Sequence, residues 1–140
     1  MKTVLNIGAV AALLLSLTGC QLIGQPSDEK LILRMLNTFE ESLMAQDIDL
    51  VMSHYSEGYS DFRGMNKQTL RQILTTIKES GDLNDLKIST GEAKAVVNDE
   101  GIGTVGPMMV KTVQFNVTQT YTVVKEDGSW LISTVQSVQN

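Results

Sequence analysis

His54 is the chain's single histidine, and it stands beside Tyr55 at an i, i+3 spacing from Val51. An imidazole can take or give a proton near neutral pH, so His54 is a candidate general base or acid if it turns inward. At the polar edge of its helix it is a structural residue instead. Ser53 cannot use it as a base, because adjacent helical residues point about 100° apart. Gln119 is the one polar side chain on an otherwise apolar strand face, and Tyr121 follows two positions on along the same face. With Tyr55 and Trp130 they form a candidate ligand pocket, an apolar surface with a few convergent polar groups. If Gln119 sits at a rim it simply meets water. Metal ligation needs several His, Cys or carboxylate groups together, so one histidine and one cysteine predict no metal site. No phosphate-cradling glycine motif is present, and no cofactor is expected.

The single cysteine, Cys20, follows Lys2, a charge-free apolar run from Gly8 to Leu15, and Leu17-Thr18-Gly19. That layout is a secretory signal, and the apolar run is short of the about 20 residues a membrane span needs. Leu17-Thr18-Gly19-Cys20 resembles the bacterial lipobox. The resemblance implies that residues 1–19 are a signal peptide cut just before Cys20, and that Cys20 carries palmitate-type acyl chains. Each buried methylene contributes about 0.8 kcal/mol, so several chains anchor firmly. Such lipoproteins are retained at the inner membrane by Asp after the cysteine. Here that residue is Gln21. The implied address is the outer membrane, with the domain in the periplasm. A plain secretory signal followed by a buried cysteine is the alternative.

The 140 residues carry a formal net charge of −5, and cleavage would remove one lysine and no acid. The length fits one domain. An acidic chain without basic clusters argues against nucleic-acid binding, which rests on phosphate neutralisation. With Cys20 committed to lipid no thiol is left for a disulfide.

Residues 20–27 contain Gly24 and Pro26 and read as a tether. Ser27 offers an N-cap, Asp28 and Glu29 suit a first turn, and Ile32, Met35, Leu36, Phe39 and Leu43 share one face. A first helix is predicted over 28–45. Asp47 caps a second, carrying Val51, Met52 and Tyr55 and ending before Gly58. Residues 59–63 alternate weakly as a brief strand. Asn66 caps a third helix with Leu70, Ile73, Leu74 and Ile77, closed by Gly81.

Beyond Leu83 the period changes to two, and strands are predicted near 85–97, 101–108, 111–125 and 129–138. Asp127-Gly128 is a hairpin signal. In the third of these, Val113, Phe115, Val117, Tyr121 and Val123 are placed on the buried face and Thr112, Gln114, Asn116, Thr118, Thr120 and Thr122 on the wet one. Three amphipathic helices and a one-faced antiparallel sheet predict a two-layer α+β domain over 28–140.

Ala45-Gln46-Asp47-Ile48-Asp49, His54-Tyr55, Tyr59-Ser60-Asp61-Phe62, Gly64-Met65-Asn66-Lys67 and the run Lys125-Glu126-Asp127-Gly128-Ser129-Trp130-Leu131-Ile132 together resemble the nuclear transport factor 2-like superfamily, in particular its SnoaL-like group. The resemblance implies a cone: three helices on a strongly curved, mainly antiparallel sheet of four to five strands, with a cavity at the open end. Asp61 falls roughly where ketosteroid-isomerase-like relatives carry a proton-shuttling carboxylate. Their tyrosine on the first helix and acid on a later strand have no counterpart here.

The resulting expectation is a lipid-anchored periplasmic binding or accessory domain, holding a small apolar ligand or an envelope protein. An isomerase-, cyclase- or dehydratase-type enzyme using His54 or Asp61 is the alternative. A structural envelope protein that forms a homodimer through its sheet is the third.

Overall fold

The structure, a computed structural model, describes residues 24–140. The signal segment, Cys20 and the first part of the tether lie outside the described residues. Three helices come first: α1 (Asp28–Met44), α2 (Ile48–Ser53) and α3 (Lys67–Ser80). Each starts where a short polar side chain can satisfy an otherwise orphaned N–H. Ser27 accepts from Lys30 N, Asp47 from Leu50 N and Asn66 from Thr69 N. At the other end of α3, Gly81 takes φ 80°, the left-handed conformation that glycine adopts without strain.

The sheet follows as β1 (Lys87–Ser89), β2 (Lys94–Val97), β3 (Gly103–Lys111), β4 (Asn116–Glu126) and β5 (Ser129–Gln139). It is antiparallel throughout, open and curled, with β3, β4 and β5 side by side. β1 and β2 both pair with β3, at Ile88↔Val110 and Ala95↔Val105 respectively. The single strand expected over 85–97 is therefore two. A turn at 90–93 interrupts it, held by Ala93 N bonded to Thr90 O, and it faces the register shift between Val105 and Met108 on β3. Asp127 and Gly128, at φ 48° and 82°, make the two-residue turn that joins β4 to β5.

Three other expectations are corrected. The third predicted strand begins at Asn116, because Thr112 Oγ1 accepts from Gln114 N and Phe115 N and folds 112–115 into a turn. This reverses the local faces: Val113 is 78% exposed and Thr112 is buried. Residues 59–63 form no strand, only an isolated bridge from Ser60 to Asn66. The second helix ends at Ser53, with His54 as its C-cap.

The core lies between α1 and the inner face of the sheet. Ile32, Leu36 and Phe39 of α1 meet Val105 and Met108 of β3, Tyr121 and Val123 of β4, and Ile132 of β5, all essentially sealed from solvent. β-branched residues dominate the strands here, as a pleated, half-buried surface favours. α3 is different. Its neighbour among the helices is α2, and not one of its residues is buried.

Candidate functional site

Beneath α3 is a cavity of about 160 Å³. The C-terminal half of α1 gives it Phe39 and Leu43, α3 gives Leu70, Leu74 and Ile77, and the 83–88 segment gives Leu83, Leu86 and Ile88. The sheet supplies Val110, Gln119, Tyr121 and Val135, while Tyr55, Tyr59 and Phe115 complete the wall. The i, i+4, i+7 spacing of Leu70, Leu74 and Ile77 puts one apolar helix face over this space. α3 is thus a roof whose apolar side chains are half-buried against the edge of the core. Its ends are held by polar contacts: Lys67 Nζ donates to Tyr55 O at 2.8 Å and to Glu57 at 2.6 Å, and Lys78 Nζ to Gln46 O at 2.8 Å.

All three tyrosines of the chain line this one cavity. Tyr121 donates its hydroxyl to Gln119 Oε1, and Gln119 Nε2 donates to Ser137 Oγ at 3.3 Å. Among the described residues neither the Tyr55 nor the Tyr59 hydroxyl has a hydrogen-bond partner. No sealed side-chain polar atom lacks one, so neither oxygen is fully sealed, and both residues line the cavity. The rings pack edge to face, Tyr55 on Tyr59 at 4.9 Å and Phe39 against Tyr55 and Tyr121 at 5.6 Å each. Burial holds all three phenols protonated. It pushes Tyr59 up to about 12 with help from the Asp61 carboxylate, and drives Tyr55 and Tyr121 well upward.

Of the four expected pocket residues, Tyr55, Gln119 and Tyr121 meet at the cavity. Trp130 does not. It lies toward the N-terminal end of α1, its Nε1 donating to Asp28 Oδ1 at 3.3 Å. The same carboxylate accepts from Lys125 Nζ at 2.9 Å, and this bond holds Asp28 below the usual carboxylate range.

His54 lines a separate surface groove with Leu31, Met35, Ser53 and Trp130. Its ring sits 5.6 Å from Phe39 and its Nδ1 is 2.8 Å from Leu50 O. That contact fixes the ring against α2. Asp61 accepts from Arg63 N and Met65 N, both at 2.8 Å, as the organiser of a turn. Neither His54 nor Asp61 is among the cavity's lining residues, and the structure does not bring them together.

Tyr59 and the α3 roof are pocket residues that sequence reasoning did not single out. The signal available for Tyr59 was compositional, since three tyrosines is a small number to find within reach of one strand face. For α3 the signal was its apolar stripe, which reads equally well as core.

No protein-family model matches the chain, and no curated protein matches it in sequence. Solved structures do resemble it in shape. Bd1075 from Bdellovibrio bacteriovorus aligns with a TM-score of 0.67 at 15% identity over 78% of this chain, which spans 39% of that protein. A nuclear transport factor 2-like protein of unknown function from Shewanella baltica gives 0.56 at 11% identity, covering 79% of this chain and 94% of that one. A putative scytalone dehydratase from Novosphingobium aromaticivorans gives 0.61 at 13% identity, with 79% and 83% covered. The fold is the nuclear transport factor 2-like one, and at these identities the likeness extends to fold alone.

Proposed function

We propose that the chain is a binding domain, tethered by lipid on Cys20 to the periplasmic face of the outer membrane, and that its cavity holds a small apolar molecule. The single observation behind this is the unfilled space under α3, walled by aliphatic and aromatic side chains with open tyrosine hydroxyls in it. Protein interiors are close-packed, so a space of this size walled mainly by apolar side chains is better explained by an occupant than by poor packing. The lipid tether is supported by Leu17-Thr18-Gly19-Cys20 and by Gln21 in the sorting position.

An enzyme acting in the same cavity would need a base facing the substrate. Among the described residues the lining holds no carboxylate and no histidine, so binding is the stronger reading. The test for it is native mass spectrometry of the chain from Gln25 onward after exposure to an envelope extract. A retained small-molecule mass, lost when Leu74→Trp fills the cavity, supports binding. Absence of any retained mass, together with failure of xenon to enter under pressure, overturns it. Cys20→Ala should move the protein from the membrane to the soluble periplasmic fraction. Unchanged sedimentation with membranes would remove the lipid tether from the proposal.

A further inference from the structure

Size, charge and hydrogen bonding narrow what this cavity can accept. At about 160 Å³ it matches the engineered apolar cavity of about 150 Å³ that admits benzene, and falls below the about 300 Å³ at which drug-sized ligand pockets begin. One ring fits that volume with room to spare, and a second fused ring would crowd it. Among the described residues, no Lys, Arg, Asp, Glu or His lines it. A charged ligand would therefore lose its hydration with no counter-charge to replace it.

The polar groups divide into two kinds. Gln119 is already engaged at both ends, its oxygen by Tyr121 and its nitrogen by Ser137. It positions Tyr121 and has little left to offer a guest. Tyr55 and Tyr59 are the groups open to one, each able to donate and to accept. Their rings, with that of Phe39, present edges and faces set 77° and 83° apart, a geometry that suits another aromatic ring.

We infer that the occupant is an uncharged, single-ring molecule with one hydroxyl or carbonyl group, phenol-like in class, whose polar atom meets the hydroxyls of Tyr55 and Tyr59. This rests on the binding function proposed above and specifies its ligand. The chemistry is recognition only, with no covalent step.

Four probes decide it by NMR titration of the chain from Gln25 onward, which contains all the helices and strands described above: benzene, phenol, benzoate and 2-naphthol. Phenol should bind about tenfold more tightly than benzene, the worth of one net hydrogen bond. Benzoate and 2-naphthol should fail to compete. In the Tyr55→Phe/Tyr59→Phe protein, which keeps ring volume, phenol and benzene should bind alike. A phenol preference that survives this double substitution, or benzoate or 2-naphthol binding as well as phenol, overturns the ligand class while leaving the binding function standing. If neither benzene nor phenol enters, the binding function falls and the ligand class falls with it.

Discussion

The Tyr121 hydroxyl donates to the Gln119 side-chain oxygen along the inner face of β4, and Gln119 in turn donates to Ser137 on β5. The relay connects the buried floor of the cavity to an exposed strand end. Removing the amide would leave the buried Tyr121 hydroxyl with only a weak contact, to Met108 Sδ at 3.8 Å.

Gln119→Leu should therefore destabilise the fold by about 1–3 kcal/mol, the cost of an orphaned buried donor. Tyr121→Phe in the same background should restore most of that loss. A urea-denaturation double-mutant cycle measures the coupling directly. Additive single effects would show that no relay exists.

Alkaline titration tests the tyrosine cluster as a whole. An unfolded tyrosine ionises near about 10, whereas burial and the Asp61 carboxylate push Tyr59 up to about 12, and Tyr55 and Tyr121 lie further up. A folded-state value above the unfolded one adds stability that is complete below the unfolded value and is lost as pH rises through the folded one. Stability should then fall steeply from about pH 10 upward, and phenolate absorbance should appear together with unfolding. Tyrosine absorbance titrating near its ordinary value in the folded protein would contradict the cluster's burial.

Most of the scaffold was legible because its signals are local. Ser27, Asp47 and Asn66 each cap the helix they were expected to cap, and Asp127-Gly128 makes the expected hairpin turn. What escaped was non-local. Val113 and Phe115 alternate correctly for a strand, yet the Thr112 hydroxyl captures the next N–H groups and makes a turn. Tyr55, Gln119 and Tyr121, which line one cavity, could be grouped because two of them share a strand face. Trp130 does not line that cavity: strand parity says which face a side chain occupies but not which end of the sheet lies over the cavity. Tyr59 joins the site through chain geometry after α2, where no periodicity operates.

Gly103 shows how closely α1 and the sheet approach at the end remote from the cavity. A Cβ there would lie 2.6 Å from Val123 Cγ2 and 2.7 Å from Ile32 Cδ1, both on fully buried side chains. Gly103→Ala should cost about 1–3 kcal/mol through overpacking. Gly91, whose added Cβ meets nothing within 4 Å, is the matched control. Equal urea midpoints for the two alanine variants would show that the core is looser than this geometry requires.

The roof should be the least protected helix. α1 seals Ile32, Leu36, Phe39 and Ser42 inside the fold, whereas α3 only half-buries Leu70, Leu74 and Ile77 against the core and otherwise rests on contacts such as Arg71 to Asp49 at 2.5 Å, with Asp49 largely exposed. Exposed ion pairs of this kind contribute about 0.2–1 kcal/mol each, far less than a packed helix face. Local opening of α3 is then much less costly than global unfolding, and it gives a guest a route under the roof. Hydrogen exchange read by mass spectrometry should show amides of Lys67–Ser80 exchanging well before those of Asp28–Met44. Saturating phenol should slow the α3 amides selectively, because a guest adds contacts to Leu70, Leu74 and Ile77 that the empty cavity lacks. Equal protection of the two helices in the free protein would mean that α3 is an integral layer of the fold, and that a ligand must enter by another path.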